Sequence, residues 1–315
     1  MKNNKISIIF VGTPEFGIPV LVSLASNNDF NILGVITQPD KKFGRQQIVN
    51  PPPIKKVAFS YGLPVYQPEK INNFAKEIKN LKPDLILVVA YAQILSEEIL
   101  SIPRYGCLNV HGSLLPKYRG AACIPTAILN GDKKTGITIM KIDKGLDSGP
   151  IIAQEEINID PDETSQSLSK KLSALAGKTT VQIIKKYING ELPARPQDDS
   201  LATKTKMLKK NDGLIDWNNE AEKIERFIRA MYPWPGAFSY FNSKRLVLVK
   251  AENEILQINQ YKIGEVFLSD KQVAVQCKSD AIILNTVKLE GKKEMPVVKF
   301  LNGYQNFIGS VLSAT

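Results

Sequence analysis

The sequence predicts an α/β protein in which an open, mostly parallel sheet is followed by a small β-barrel. Three observations predict it. Roughly the first 200 residues alternate strand-like and helix-like patterns, the rhythm of βαβ units. Within them Leu85–Ala90 is a continuous apolar run, as a central strand buried on both faces requires. Beyond Tyr232-Pro233-Trp234-Pro235-Gly236 the pattern changes to short β-type runs spaced as in a small barrel. At 315 residues, two domains are the natural expectation.

The elements follow in order. Ser7–Val11 reads as a first strand and Phe16–Ala25 as a helix with Phe16, Val20, Leu21 and Leu24 on one face. Ile32–Thr37 is a second strand. Gln38–Pro53 is a polar loop, long for a strand-to-helix connection. Ile71–Leu81 is an amphipathic helix, and the strand Leu108–Val110 leads directly into His111. Thr135–Ile142 and Pro150–Ile157 are later strands, and Ser165–Ile188 is a long helix. Then the pattern breaks: Gly190, Pro193 and Pro196 precede a run rich in lysine. We read 191–208 as a linker between a domain over 1–190 and one over 209–315. The second domain opens with a helix at Glu220–Ala230. It continues through Ala237–Phe241, Leu246–Ala251, Ile263–Leu268, Val273–Cys277 and Ile282–Val287. The aromatic-proline run between them reads as a structural corner.

Composition narrows the function. No segment approaches the ~20 apolar residues of a membrane-spanning helix. The apolar run Ile6–Val11 is too short for the core of a signal peptide, so the expected location is the cytoplasm. Cys107, Cys123 and Cys277 form no Cys-x-x-Cys pair, and the chain has one histidine, so no metal site is expected. Cys107 and Cys123 lie in apolar contexts and read as buried packing. The net charge of +10 permits a polyanionic partner such as RNA without requiring one.

The single histidine, His111, organises the chemistry. It sits in Asn109-Val110-His111-Gly112-Ser113-Leu114-Leu115-Pro116-Lys117-Tyr118-Arg119-Gly120, at the end of a strand, where open α/β sheets bind ligands. Asn109 is two residues earlier, so an extended chain presents both side chains on one face. An amide donor and an imidazole together can stabilise an oxyanion and move a proton. A structural histidine and a strand-end asparagine fit the same residues. The loop Met140–Pro150 carries Asp143 and Asp147, either of which could orient an imidazole or simply serve a turn. Gly12-Thr13-Pro14-Glu15-Phe16-Gly17 lacks the glycine spacing of a dinucleotide site, and there is no Gly-x-x-x-x-Gly-Lys-Ser/Thr loop for a nucleoside triphosphate.

These motifs resemble the methionyl-tRNA formyltransferase family over almost the whole chain. The resemblance begins at Ile9–Phe16 and continues through Val35–Asp40 with Gly44-Arg45. It is strongest at Asn109–Gly120 and over Gly136–Gly149. Asn109–Gly120 is shared with the wider folate-dependent formyltransferases, so it specifies chemistry rather than acceptor. Asp212–Trp217, Ile228–Ala237, Glu290–Met295 and Phe300–Gly303 are more particular to the tRNA enzymes. Three segments depart from the usual pattern. Gln46-Gln47 stands where further lysines are customary, Ala92 and Ser96 replace a glycine and a proline, and Cys123 replaces a proline.

The resemblance implies a Rossmann-like domain followed by an OB-like barrel. It implies 10-formyltetrahydrofolate as donor, with no metal, and the α-amino group of methionine on initiator tRNA as acceptor. Asn109, His111 and Asp147 take the family's catalytic positions, and Asp143 becomes a turn residue. Ser113, Leu114, Leu115 and Pro116 take the positions that lie along the folate. Candidate tRNA contacts are Lys41, Lys42 and Arg45 in the long loop and Lys204, Lys206, Lys209 and Lys210 in the linker, although charge runs are more often solvated faces. No membrane partner is expected. A monomer is the working expectation, though oligomeric state is not readable from sequence. Three readings compete: the same chemistry on a nucleotide-linked amino sugar, a non-catalytic RNA-binding protein on the same fold, and hydrolysis of formyl-folate to formate. Retention of Asn109, His111 and Asp147 together argues against the second.

Overall fold

The computed structural model describes residues 5–43 and 48–313. Backbone contacts divide the chain into two units. The first draws on Met1–Cys123, Lys134–Ile157 and Ser169–Thr205, and the second on Ile124–Lys133, Asn158–Leu168 and Lys206–Thr315.

The first unit begins with β1 (Ile6–Gly12), α1 (Ile18–Ala25), β2 (Phe30–Ile36), β3 (Lys41–Phe43), β4 (Ile48–Asn50), α2 (Pro53–Ser60) and β5 (Val65–Tyr66). It continues with α3 (Ala75–Leu81), β6 (Leu85–Val89), α4 (Glu97–Leu100), β7 (Cys107–His111) and β8 (Arg119–Gly120). After α5 (Cys123–Leu129), which falls almost wholly in the second unit, come β9 (Lys134–Lys141), β10 (Ile151–Asn158), α6 (Ser165–Ile188), whose first turn also falls in the second unit, and β11 (Lys204–Thr205). Seven strands form one sheet in the order β10-β9-β7-β6-β1-β2-β5. The pairs β5–β2, β2–β1, β1–β6 and β6–β7 are parallel, and β7–β9 is antiparallel. This is the mostly parallel sheet that the βαβ rhythm predicts, and the Rossmann-like arrangement that the family resemblance implies. Every residue of β6 is buried, which accounts for its unbroken apolar sequence. Gly12 marks a close approach: a Cβ there would lie 2.7 Å from the Val89 carbonyl oxygen across the β1–β6 seam.

Two predicted helices start later than their apolar spacing suggests. Glu15–Gly17 and Ile71–Phe74 are 3₁₀ turns, and the α-helices begin at Ile18 and Ala75. In α1 the cause is Pro19, which lacks an amide hydrogen and belongs in a helix's first turn. α3 ends at Lys82, in the left-handed region at φ 52°, just before Pro83. The long polar loop contains an antiparallel hairpin of β3 and β4. Its base is braced by Lys55, whose Nζ donates to Asp40 and Gln67.

Residues 195–205 are fastened to the first unit. Ile151 and Arg195 exchange two backbone hydrogen bonds of 2.7 and 2.8 Å. β11 pairs in parallel with β8. Gly120, at φ 109°, makes that pairing possible, because a Cβ there would lie 2.4 Å from the Thr205 carbonyl oxygen.

The second unit contains α7 (Ala221–Met231), β12 (Phe238–Phe241), β13 (Lys244–Leu256), β14 (Val266–Ser269), β15 (Gln272–Gln276), β16 (Ala281–Leu289), β17 (Met295–Pro296) and α8 (Val297–Gly303). Five strands run in the order β12-β13-β16-β15-β14, with β17 added on β16, and all these pairs are antiparallel. The last described residues bridge both edges: Ser313 pairs with Tyr240 of β12, and Val311 with Glu265 beside β14. The sheet thereby curls into the predicted barrel. α7 buries Ile224, Ile228 and Met231, as its helical spacing requires. Trp234, in the aromatic-proline corner, is exposed. No helix among the described residues is long and apolar enough to cross a membrane.

Candidate active site

β7 brings Asn109 and His111 to one side of the sheet, because they are two residues apart in an extended strand. Their neighbours Leu108 and Val110 are buried in the core. The loop between β9 and β10 delivers Asp147 against both polar side chains. The Asp147 Oδ1 accepts from Asn109 Nδ2 at 3.3 Å, and Oδ2 lies 3.5 Å from His111 Nδ1. Oδ2 also accepts from the backbone N–H of Gly120 at 2.8 Å. Asp147 is in the left-handed region, at φ 51°, a conformation that aspartate tolerates better than most residues.

Spacing alone leaves two aspartates open, the family resemblance points to Asp147, and the geometry separates them. Asp143 Oδ1 accepts from its own loop, from Gly145 N at 3.0 Å and Ser148 Oγ at 2.9 Å. It is a turn aspartate.

The electrostatics of His111 follow from its neighbours. The ring is 7% exposed. Nε2 lies 2.9 Å from the Tyr118 carbonyl oxygen, which can only accept, so Nε2 must carry a proton. In the neutral ring Nδ1 would then turn a lone pair toward the Asp147 carboxylate. Only the doubly protonated imidazolium satisfies both sides. Burial alone pushes the pKa down, but it is outweighed by the Cys123 sulfur, which hydrogen-bonds the ring, by the Asp147 charge and by the Tyr118 carbonyl. The result is a pKa raised from 6.5 to about 9.

Cys123 is buried, as its apolar context suggests, but its contact with the imidazole has no local sequence signal. Tyr118, Gly120 and Cys123 join the site through the turn after Pro116. The other two thiols are remote in character: burial pushes Cys107 and Cys277 up to about 12.

The segment Ser113–Pro116 is held by its backbone. Thr138 Oγ1 donates to Ser113 O at 2.7 Å and accepts from Leu115 N at 3.1 Å. Gln154 Nε2 donates to Leu115 O at 2.9 Å. Ser113 and Leu115 are buried, whereas Leu114 and Pro116 are partly exposed, which leaves an apolar surface beside the histidine. The nearby segment 91–96 keeps a defined path despite its unusual residues. Ala92 adopts φ 63°, the conformation a glycine would take there. Ser96 caps α4, and its N–H donates to Asn72 Oδ1 at 2.9 Å, a bond that proline could not make.

The candidate RNA contacts are dispersed. Lys41 is exposed on β3, Lys42 follows it in the strand, and Arg45 lies outside the described residues. Lys204 is exposed on β11, and Lys206, Lys209 and Lys210 are exposed in the second unit. Among the described residues no three His, Cys, Asp or Glu side chains gather as metal ligands.

Comparison with known proteins decides the family. The formyl transferase family matches residues 4–184, and its C-terminal domain family matches 207–305. A methionyl-tRNA formyltransferase from Thermodesulfovibrio yellowstonii is 44% identical over 298 residues, covering 94% of this chain and 95% of the relative. The chain belongs to the methionyl-tRNA formyltransferase family. Solved structures of low identity share the fold. The methionyl-tRNA formyltransferase from Clostridium thermocellum aligns with TM-score 0.59 and 19% identity over 89% of this chain and 99% of that one. HypX from Aquifex aeolicus in complex with tetrahydrofolic acid aligns with TM-score 0.63 and 16% identity over 97% of this chain. The chain spans about half the length of HypX, 48%. Methionyl-tRNA formyltransferase relatives of 40–44% identity extend across both units, so the second unit is part of the family pattern and not an unrelated appendage.

Proposed function

We propose that this enzyme transfers the formyl group of 10-formyltetrahydrofolate to the α-amino group of methionine on initiator tRNA, through Asn109, His111 and Asp147. The observation that carries the chemistry is one imidazole with both nitrogens facing acceptors, beside an asparagine amide. The near full-length identity to methionyl-tRNA formyltransferases favours the tRNA acceptor over an amino sugar.

The folate supplies an activated formyl carbon and leaves as tetrahydrofolate. In this reading the donor lies along Ser113, Leu114, Leu115 and Pro116, where Leu114 and Pro116 are partly exposed. The methionine amine attacks as the neutral base, a C–N bond forms, and the formyl oxygen becomes an oxyanion. Asn109 has one amide hydrogen on Asp147 and a second for that oxyanion. The imidazolium of His111 adds a full positive charge next to it. Asp147 holds Nδ1, so Nε2 is the working nitrogen, and its hydrogen bond passes from the Tyr118 carbonyl to the substrate. Nε2 gives a proton to the departing folate nitrogen and regains one from the attacking amine. The balance is one N–H exchanged for one N–C.

In this reading the enzyme works as a monomer in the cytoplasm, and Lys41, Lys42, Arg45, Lys204, Lys206, Lys209 and Lys210 face the RNA. The test is transfer of radiolabelled formyl from 10-formyltetrahydrofolate to methionine-charged initiator tRNA, with charged elongator tRNA and free methionine in parallel. Label confined to the initiator supports the reading. Label released as formate without an acceptor, or transferred to none of the three, contradicts it.

A further inference from the structure

Residues 195–205 look like linker in sequence, yet one side chain in them reaches the catalytic loop. Gln197 Nε2 donates to the backbone carbonyls of Asp147 at 2.9 Å and Gly149 at 2.8 Å. Its Oε1 accepts from Arg119 Nε at 3.0 Å and Nη2 at 2.8 Å. Arg119 Nη2 also donates to Asp199 Oδ1 at 2.7 Å. The amide cannot be turned over, because its oxygen would then face two carbonyls and its hydrogens a guanidinium. Gln197 therefore uses both amide hydrogens on the loop and its oxygen on a buried cation.

Arg119 ties this group to the site from the other side. It is 6% exposed and immediately precedes Gly120, whose N–H donates to the Asp147 carboxylate. A buried guanidinium without partners is strongly unfavourable, so Arg119 requires Gln197 and Asp199. Asp147 is thus gripped at its carboxylate by Gly120 and at its carbonyl by Gln197. That double grip holds a non-glycine residue at φ 51°.

We propose that Gln197 is a positioning residue for formyl transfer: it locks the backbone of Asp147 so that the carboxylate stays on Nδ1 of His111. The inference rests on the reading of Asp147 and His111 as the reacting pair. It also assigns the strap 195–205 a part in the active site of the first unit.

Because His111 is the only histidine, its imidazole gives a single, unambiguous NMR titration. Gln197→Met is neutral, of similar length, and removes both ends of the link. The histidine pKa should fall in this variant, since the carboxylate is no longer held against the ring. An unchanged pKa in the folded variant overturns the proposal. Should the unpaired arginine prevent folding, the double variant Arg119→Met/Gln197→Met removes the buried charge too and is read in the same way.

Gln197→Glu separates the two ends. A glutamate keeps the pair with Arg119 but cannot donate to the Asp147 and Gly149 carbonyls. The expected result is a kcat about 10²-fold lower, as for a displaced catalytic group, with both KM values within about twofold. An unmoved histidine titration in Gln197→Met overturns the proposal whatever the kcat of Gln197→Glu. A titration that moves while kcat does not upholds the brace and instead overturns the catalytic reading of His111.

Discussion

The Asp147 carboxylate faces Nδ1 of His111 at 3.5 Å, while the Tyr118 carbonyl holds Nε2 of the same ring at 2.9 Å. Two acceptors on opposite nitrogens make the imidazolium the stable form. The site therefore presents a buried positive charge beside an asparagine amide, at the end of a parallel strand. That is the electrostatic arrangement an acyl-transfer oxyanion requires.

Stability should depend on pH through this ring. The folded pKa of about 9 lies above the ordinary 6.5, so the folded state binds the proton more tightly. The resulting stabilisation is complete below pH 6.5 and is lost as pH rises through 9. Urea unfolding of wild type and His111→Asn at pH 6, 7.5 and 9.5 measures it. The stability difference between the two proteins should move in favour of the variant with rising pH, and a constant difference would contradict the assignment.

Asp147→Asn keeps a residue that tolerates the left-handed backbone but removes the charge. The amide no longer favours a proton on Nδ1, and the histidine pKa falls. Formyl transfer should slow by about 10²-fold or more while the fold is retained. Circular dichroism and steady-state transfer rates check both halves of this expectation.

Ala92→Gly should stabilise the protein. Ala92 is exposed and sits at φ 63°, where a Cβ is unfavourable. Relief of that strain exceeds the added freedom of glycine in the unfolded chain, for a net gain of about 0.5–1 kcal/mol. Thermal or urea denaturation reads it directly, and a loss of stability would show that the left-handed backbone is not strained.

The exposed linker lysines should act on RNA affinity and not on chemistry. Replacing Lys206 or Lys209 by alanine should raise KM for charged tRNA and lower the slope of log affinity against log salt by about one for each true phosphate contact. The single-turnover rate at saturating tRNA should be unchanged. An unaltered slope for every lysine variant would remove this segment from the interface.

Much of this site is legible in the sequence because its parts are local. Asn109 and His111 are two residues apart in a strand, and the continuous apolar run of β6 announces the buried sheet that carries them. The choice of Asp147 over Asp143 was not legible from spacing, since both lie in one glycine-bounded loop. It needed the family resemblance, and the geometry agrees: Asp143 bonds within its own turn. The remaining parts carry no local pattern. The acceptor on Nε2 is a backbone carbonyl, which any residue at position 118 supplies. Gln197 meets Asp147 across 50 residues of chain, from a stretch whose prolines and polar residues resemble a linker. Cys123 reads as packing because burial and contact with the imidazole use the same apolar surroundings.

The most direct test of the central claim is a rapid-quench single-turnover measurement with His111→Ala, at saturating formyl donor and charged initiator tRNA. The variant should be folded, bind both substrates and transfer formyl at least ~10²-fold more slowly than wild type. Transfer within a few-fold of wild type would contradict it, because the chain has no second imidazole to take over the role.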